Sequence, residues 1–300
     1  MAPVPDLDPT PAPVAAIDVG SNTTRMLVAR AIGGRVQPLA SGSAMTALGA
    51  GLRPGGRIGG EELDLVELTV RQMVAEARGL GADRLVVACT APGRTAANAD
   101  ELLERLQRAA GVRPRVLSGP EEAALAFRGL VSAGAPDPLL AIDLGGGSLE
   151  LSGGEGGRLR WATSIPIGVR SLTERFAPAD PPSIDLLEPM IHAVREMIAP
   201  VAAPTTGMSE AVAAGGSAVA LAELAGSERL DRDALVVAVE RLAATPADDL
   251  AEETGIDAAR LRLCMAGAAA LEEVRRAYDL RTLLVTRAGI REGLVLEAAG

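Results

Sequence analysis

The sequence predicts an α/β protein built from two similar halves around a cleft, and two observations indicate this class. The segments AIDVGSNTTRM at residues 16–26 and AIDLGGGSLEL at residues 141–151 share Ala-Ile-Asp-aliphatic-Gly, then two small residues and a hydroxyl residue. A comparable series of strands and helices follows each segment. A segment repeated at the start of two long series indicates an internal duplication, and therefore two similar domains that face each other.

The first half is expected to run β-β-β-α-β-α-β-α. Short apolar runs bounded by turn residues predict strands, and apolar residues at helical spacing predict helices. The predicted strands are Val14–Ile17, Thr24–Ile32, Val36–Ala40, Arg84–Ala88 and Arg115–Leu117, and the predicted helices are Glu61–Leu80, Asp100–Ala110 and Pro120–Leu130.

The second half begins after a loop at Ser132–Pro138 and repeats the opening hairpin. Its hairpin turn is expected at Gly153–Gly157. The predicted strands are Leu139–Ile142, Leu149–Leu151, Leu159–Ile167, Glu210–Ala213 and Thr282–Thr286, and the predicted helices are Ile184–Ile198, Arg232–Ala243, Asp257–Ala277 and Ile290–Ala298.

Composition excludes several functions. The net charge of −10 and the pI of about 4.8 argue against a nucleic-acid or membrane-surface binder, because both need a basic face. The chain contains no lysine, so it has neither a Schiff-base lysine nor a P-loop lysine. The absence of a signal-like leader and of long apolar runs predicts a soluble, cytoplasmic protein without a membrane span.

The glycine turns after Asp18 and Asp143 predict a phosphate site. Glycine lets backbone N–H groups approach and face an anion, and Thr23 and Ser148 add hydroxyl donors. An aspartate repels phosphate but can hold a hydrated Mg²⁺ that bridges to it. A tight turn with a capping aspartate is the alternative for either copy alone, and the matched pair favours phosphate binding.

Seven segments resemble, in order, the exopolyphosphatase/guanosine-pentaphosphatase (Ppx–GppA) family of the actin/sugar-kinase/Hsp70 ATPase-type fold. They are IDVGSNTTRMLV, CTAPGRTAANADELL, LSGPEEAALAF, IDLGGGSLEL, SIPIGVRSLTERF, AAGGSAVAL and AGIREGLVLE.

The resemblance implies two RNase H-like domains around a central cleft. Residues 14–131 with the closing helix 290–300 would form the N-terminal lobe, residues 132–289 the C-terminal lobe, and residues 1–13 a flexible lead-in. Long family members carry a further helical region, and the chain is expected to be a two-domain short form without an additional C-terminal helical domain.

The resemblance also implies the site residues. Glu122 matches the catalytic glutamate that activates water, and Arg94 the phosphate-binding arginine. Without the resemblance, Glu121 and Glu122 would be read as the acidic start of a helix and Arg94 as a surface arginine. Asp143 and Asp18 would hold Mg²⁺ or another divalent cation, and the residues expected to bind phosphate are Gly20, Ser21, Asn22, Thr23, Gly145, Gly146, Gly147, Ser148, Gly215, Gly216 and Ser217.

Other polar residues receive simpler interpretations. The chain has only two asparagines, Asn22 and Asn98, and both fall in candidate site segments, although Asn98 also suits a helix cap. The single histidine, His192, lies in a helical segment away from every motif and is assigned a structural role. Cys89 and Cys264 are expected to be buried small residues.

The expected reaction is hydrolysis of the terminal phosphoanhydride of inorganic polyphosphate. The acidic charge favours short chains, because a long polyanion would be repelled outside the site. Hydrolysis of the 5′-terminal phosphate of guanosine pentaphosphate is the alternative, and a catalytically weak regulator that binds polyphosphate or guanosine penta- and tetraphosphate is a further one. A sugar or acetate kinase of the same fold is disfavoured by the EEA and SIPIGVR segments. A homodimer is the assembly that the resemblance implies.

Overall fold

The computed structural model describes residues 11–50, 52, 55–176, 178–201 and 208–300, so most of the expected lead-in lies outside it. Its strands form two mixed sheets, and helices pack against both. No helix within these described ranges is long and apolar enough to cross a membrane.

The first sheet has five strands in the order β3-β2-β1-β4-β5. The strand β1 is central because its residues, VAAIDV, are almost all buried, whereas the edge strand β3 alternates toward solvent. Strands β1, β2 and β3 are antiparallel, and β4 and β5 continue the sheet in parallel. The bounds are β1 Val14–Val19, β2 Thr23–Ile32, β3 Arg35–Met45, β4 Arg84–Cys89 and β5 Arg115–Val116.

The second sheet repeats this plan with one added strand, in the order β10-β11-β9-β6-β7-β8. Strands β8, β7, β6, β9 and β11 therefore take the places of β3, β2, β1, β4 and β5. The bounds are β6 Leu139–Leu144, β7 Leu149–Glu155, β8 Arg158–Ile165, β9 Glu210–Ala214, β10 Arg229–Leu230 and β11 Thr282–Val285. The predicted duplication is confirmed at the level of strand order.

Twelve α-helices are present in the described residues. Their bounds are α1 Gly60–Gly79, α2 Ala91–Thr95, α3 Ala99–Ala110, α4 Gly119–Ser132, α5 Val169–Phe176, α6 Leu187–Ile198, α7 Gly216–Ala225, α8 Arg232–Ala244, α9 Ala247–Thr254, α10 Ala258–Leu261, α11 Cys264–Ala277 and α12 Ile290–Ala299. A 3₁₀ turn at Ile184–Leu186 leads into α6.

The core is built mainly from aliphatic residues and alanine. The helix α11 is buried along nearly its whole length, which its small residues allow. The closing helix α12 packs Leu294 and Val295 against Val14 and Leu27 of the first sheet, and it also packs on α4. The division into the lobes 14–131 with 290–300 and 132–289 stays a prediction.

Several elements differ from the sequence prediction. The helices α2, α5, α7 and α9 and the short strand β10 were not predicted, because α2 contains Pro-Gly and α7 is short and rich in small residues. The predicted helix Asp257–Ala277 is two helices, since the chain turns at residues 262–263. The predicted turn Gly153–Gly157 is only Gly156-Gly157, whose φ angles of 62° and 68° suit a tight hairpin.

Candidate functional site

A cavity of about 480 Å³ lies between the carboxyl ends of the central strands of the two sheets. Every site residue predicted from the sequence lines it except Arg94. The lining includes Asp18, Gly20, Ser21, Asn22, Thr23, Glu122, Asp143, Gly145, Gly146, Gly147, Ser148, Gly215, Gly216 and Ser217. The fold therefore brings three glycine-containing turns and three carboxylates to one cleft.

The two duplicated turns close in the same way. The N–H of Gly20 donates to the carbonyl of Thr23 over 3.1 Å, and that of Gly145 to the carbonyl of Ser148 over 2.9 Å. The turns also touch each other, because a Cβ on Gly147 would lie 2.6 Å from Ser21 Oγ. Glycine is needed here for close approach rather than for an unusual backbone conformation.

Neighbouring segments hold the carbonyl groups of the turns. At the start of α5, the N–H groups of Val169 and Arg170 donate to the carbonyls of Gly145 and Gly146 over 3.1 and 3.0 Å. In the described part of the chain, the N–H groups of Gly146 and Gly147 donate to no protein acceptor. Free N–H groups next to a cleft are the donors that an anion needs.

The aspartates of the two turns are buried. Burial raises the pKa of Asp18 to about 6 and also raises that of Asp143, while the positive charges of Arg25 and Arg291 act on both carboxyls in the opposite direction. The Oδ1 atom of Asp18 is buried without a hydrogen-bond partner. Two close carboxylates with an unsatisfied oxygen are a partial cation site.

These carboxylates fit Mg²⁺ only as part of a shared site. No group of three or more His, Cys, Asp or Glu side chains able to hold a metal is found among the described residues. Mg²⁺ is typically bound by one or two carboxylates, with waters and substrate phosphates completing its octahedron. The residues present therefore fit a cation that arrives with, or is completed by, a phosphate ligand.

Glu122 lies at the start of α4 and faces the cleft, whereas Glu121 faces away. The Oε2 atom of Glu122 accepts a hydrogen bond from Arg94 Nη1 over 2.9 Å, and the same Nη1 donates to the carbonyl of Leu117 over 2.6 Å. Glu121 instead forms a capping box with Ser118 and an ion pair with Arg115. Arg94 therefore lies beside Glu122, behind the cavity wall rather than in it.

Sequence reasoning missed Glu150. Its side chain is buried, and its Oε1 atom accepts a hydrogen bond from Ser164 Oγ over 2.7 Å. Burial raises its pKa to about 7, and burial together with the negative charge of Glu150 raises the pKa of Glu122 well above its usual value. The hairpin register contained a signal, because Glu150 pairs with Asp143 where Arg25 pairs with Asp18.

Sequence reasoning also missed four arginines that line the cavity, namely Arg25, Arg260, Arg287 and Arg291. Arg260 Nη2 donates to Thr23 Oγ1 over 3.2 Å, and its guanidinium covers Gly216 so closely that a Cβ there would overlap it. No salt bridge to Arg25 or Arg260 is present among the described residues, although Arg25 acts on Asp18 and Asp143, and Arg260 on Asp257 and Glu223, from longer distances. Neither guanidinium is held by a carboxylate in direct contact, so both can bind an anionic ligand.

Of the two asparagines, the histidine and the two cysteines, only Asn22 lines the cavity. Asn22 lines the cavity and accepts a hydrogen bond from Arg170, but Asn98 is buried elsewhere, where its side chain bonds the backbone N–H and carbonyl of Ile58. The interpretation that both asparagines mark the site is therefore wrong for Asn98. His192 is exposed beside Glu196, and Cys89 and Cys264 are buried and unpaired.

Together these observations define the class of protein. Two sheets of matching strand order, each opening with the same hairpin, face a shared cleft, which is the arrangement of two RNase H-like domains in the actin/sugar-kinase/Hsp70 ATPase-type fold. The sequence profile of the Ppx/GppA phosphatase family matches residues 27–300. The chain belongs to this family.

Individual relatives agree with this assignment. The chain is 30% identical to exopolyphosphatase 1 of Mycobacterium leprae over 302 residues, which cover 94% of this chain and 88% of the relative. A crystal structure of an exopolyphosphatase-like protein is similar with a TM-score of 0.86 at 25% identity, covering 96% of this chain and 98% of that one. The Aquifex aeolicus PPX-GPPA enzyme has the same fold, with a TM-score of 0.77 at 23% identity over 95% of this chain and 99% of that one.

Proposed function

We propose that this protein is an exopolyphosphatase that hydrolyses the terminal phosphoanhydride of short inorganic polyphosphate in a Mg²⁺-dependent reaction. The observation that carries the proposal is the placement of Glu122. It is a mostly buried carboxylate with a raised pKa on the wall of a cleft that is otherwise lined by glycine turns and arginines. The name of the Mycobacterium leprae relative supports the substrate class.

The chemistry follows from the residues in the cleft. The terminal phosphate lies against the N–H groups of Gly146 and Gly147 and the hydroxyl of Ser148. A water molecule forms the new P–O bond at the terminal phosphorus, its proton goes to the carboxylate of Glu122, and the bridging P–O bond breaks. The shortened polyphosphate leaves with the electron pair of that bond.

The raised pKa of Glu122 suits the role of a general base. A general base works best when its pKa lies near the working pH, and such catalysis contributes about 10²–10⁴-fold to the rate. Arg94 orients Glu122 through the Nη1 hydrogen bond. Asp143 and Asp18 would hold Mg²⁺, which offsets the negative charge of the transferring phosphoryl group.

The arginines at the cleft favour a polyanionic substrate of limited length. Arg25 and Arg260 lie close to Gly216, at the start of α7, where a helix N-terminus adds further positive potential. Glu223 and Asp257 also line the cavity, and the whole chain carries a net charge of −10. A long polyanion would meet this negative field outside the cleft, whereas a short one would not.

Hydrolysis of the 5′-terminal phosphate of guanosine pentaphosphate is the second candidate. The cavity has a volume of about 480 Å³, and Arg25 and Arg260, which form no salt bridge among the residues that the structure describes, suit additional phosphates of a nucleotide. A regulator that binds polyphosphate or guanosine penta- and tetraphosphate without turnover is a third candidate, opposed by the presence of Glu122, Asp143 and Ser148 in one cleft. We place the protein in the cytoplasm as a homodimer, without nucleic-acid or membrane partners.

Orthophosphate release separates these candidates. The purified protein is incubated with Mg²⁺ and tripolyphosphate, long-chain polyphosphate or guanosine pentaphosphate, with a chelator control for each. We expect release from tripolyphosphate to be fastest and to stop with the chelator. Faster release from the nucleotide would favour the second candidate, and tight binding without release from any substrate would leave the regulator.

A further inference from the structure

The sulfur of Met45 lies among three hydrogen-bond donors of the cleft. Met45 ends the strand β3, and its Sδ atom is 3.5 Å from Asn22 Nδ2, from Thr23 Oγ1 and from Arg260 Nη2. Asn22 and Thr23 belong to the first glycine turn, whereas Arg260 reaches over from α10 on the other side of the cleft. All three donor residues line the cavity, so one side chain contacts donors from both sides of it.

The choice of acceptor has a physical consequence. A thioether is a neutral and weak acceptor, so it orients donors without neutralising a charge. Arg260 has no carboxylate within salt-bridge distance among the described residues, and burial lowers its pKa. The carboxylates of Asp257 and Glu223 act on its positive charge from beyond salt-bridge distance, and the sulfur orients the guanidinium without adding a negative charge.

The amide of Asn22 is held in one orientation by its two neighbours. Its Oδ1 atom accepts a hydrogen bond from Arg170, and its Nδ2 group consequently faces Met45. Arg170 belongs to α5, which also holds the carbonyls of the second glycine turn. The donors around Met45 are thus fixed relative to both turns before any ligand binds.

We propose that Met45 is a positioning residue that keeps Asn22, Thr23 and Arg260 as a weakly satisfied donor set for the oxygens of a phosphate chain. The proposal rests on the proposed function for the identity of the ligand. A phosphate oxygen is a far better acceptor than a thioether, so the ligand takes these donors from the sulfur at little cost. A stronger acceptor at position 45 would compete with the ligand for the same donors.

Oxidation of Met45 would create such an acceptor. Peroxide transfers one oxygen atom to the sulfur and leaves as water, the sulfur loses two electrons, and the product is a polar sulfoxide. The two thiols do not compete for peroxide, since both are buried and burial raises the pKa of Cys89 and of Cys264 to about 12. Met45 is only partly buried, so peroxide can reach it.

Substitution at position 45 tests the competition directly. Binding of tripolyphosphate with Mg²⁺ is measured by calorimetry on a Glu122→Gln background, so that the ligand is not consumed. Met45→Gln places a strong amide acceptor of similar length near the three donors, and we expect Kd to rise about tenfold. Met45→Leu preserves volume but removes the acceptor that orients the three donors, and we expect Kd to rise about threefold, clearly less than for Met45→Gln.

Kinetics and oxidation give independent readouts. With Glu122 intact, Met45→Gln should raise KM and leave kcat within about twofold, which a loss of packing would not produce.

Peroxide treatment should raise KM of the wild type about tenfold, and methionine sulfoxide reductase should restore it. The KM of the Met45→Leu variant should not change on peroxide treatment. The matched control is Met197→Leu, whose methionine is 37% exposed on α6 and remote from the cleft, and it should respond to peroxide as the wild type does.

Two results would overturn the proposal. They are equal affinity of the Met45→Gln and Met45→Leu variants for tripolyphosphate, and a Met45→Leu variant that is as sensitive to peroxide as the wild type. If Met45→Gln does not fold, the peroxide comparison decides. Because binding is measured without turnover, absence of hydrolysis would refute the proposed function and leave the binding result in force.

Discussion

At the residue scale, the proposed chemistry depends on two neighbouring carboxyl groups, those of Glu122 and Glu150. Glu150 is buried and Glu122 is mostly buried, and the negative charge of Glu150 is one cause of the raised pKa of Glu122. Glu122 can accept a proton from water only when it is ionised. The rate should therefore rise with pH through the pKa of Glu122.

Glu150→Gln tests this coupling. The substitution removes a negative charge near Glu122, so the pKa of Glu122 should fall and the acidic limb of the kcat profile should move to lower pH. The measurement is kcat for tripolyphosphate between pH 5 and 9 under saturating Mg²⁺. Glu121→Gln serves as the control, because Glu121 faces away from the cleft, and an unshifted limb in Glu150→Gln would contradict the coupling.

The residue scale also shows what the sequence could and could not predict. The positions of Asp18, Asp143 and Glu122 in one cleft follow from the repeated motif and from the resemblance. The arginines Arg25 and Arg260 could not be assigned, because the chain has 27 other arginines and only the fold selects the two near Gly216. The place of Arg94 behind the cavity wall likewise depends on how α2 packs.

At the scale of elements, the helix α4 carries Glu122 and begins with a capping box. Ser118 Oγ accepts from the N–H of Glu121, and Glu121 Oε2 accepts from the N–H of Ser118 over 2.8 Å. Ser118→Ala should lower the free energy of unfolding by about 1 kcal/mol, because one N–H of the first turn loses its partner. Urea denaturation measures the change.

The other end of the same helix provides the control for this substitution. Ser132 Oγ donates to the carbonyl of Gly129 over 2.8 Å without capping the helix start. Ser132→Ala should change the free energy of unfolding less than Ser118→Ala does. The capping account fails if the two substitutions cost the same.

Close contact between the glycine turns gives a prediction for Gly147. A Cβ at this position would lie 2.6 Å from Ser21 Oγ and 3.2 Å from the Cβ of Ala91, so the turn must shift. Gly147→Ala should raise KM for tripolyphosphate at least about tenfold, because the phosphate donors move with the turn. Gly79→Ala, where a Cβ would meet no atom within 4 Å, should leave KM unchanged.

The elements that the sequence missed have a common physical cause. Alternating and apolar runs define long strands and helices well, and the central strands β1, β4, β6 and β9 were predicted close to their observed bounds. The helices α2, α5, α7 and α9 have ten residues or fewer, which is too short for the spacing of apolar residues to define a helix reliably. Tertiary contacts, rather than local propensity, decide such short helices.

At the scale of the whole molecule, α12 packs against the strands β1 and β2 near the start of the chain. Leu294 is fully buried in the cluster that α12 forms with the first sheet. We propose that this packing makes residues 290–300 part of the N-terminal lobe. Such a lobe would need the closing helix in order to fold.

Shortening the side chain of Leu294 measures how much the packing of α12 contributes to the free energy of unfolding. Leu294→Ala should lower the free energy of unfolding by about 2–5 kcal/mol, the usual cost of a large cavity. Leu68→Ala, on a leucine that is 52% exposed on α1, should change it by less than about 0.5 kcal/mol. Similar values for the two variants would mean that α12 is not part of the folded lobe.

The central claim is that Glu122 receives the proton of the water that attacks the terminal phosphate. Orthophosphate release from tripolyphosphate, compared between wild type, Glu122→Gln and Glu121→Gln, tests it most directly. We expect Glu122→Gln to lower kcat about 10²–10⁴-fold while tripolyphosphate still binds, and Glu121→Gln to keep kcat within about twofold. A Glu122→Gln variant with wild-type kcat would contradict the account.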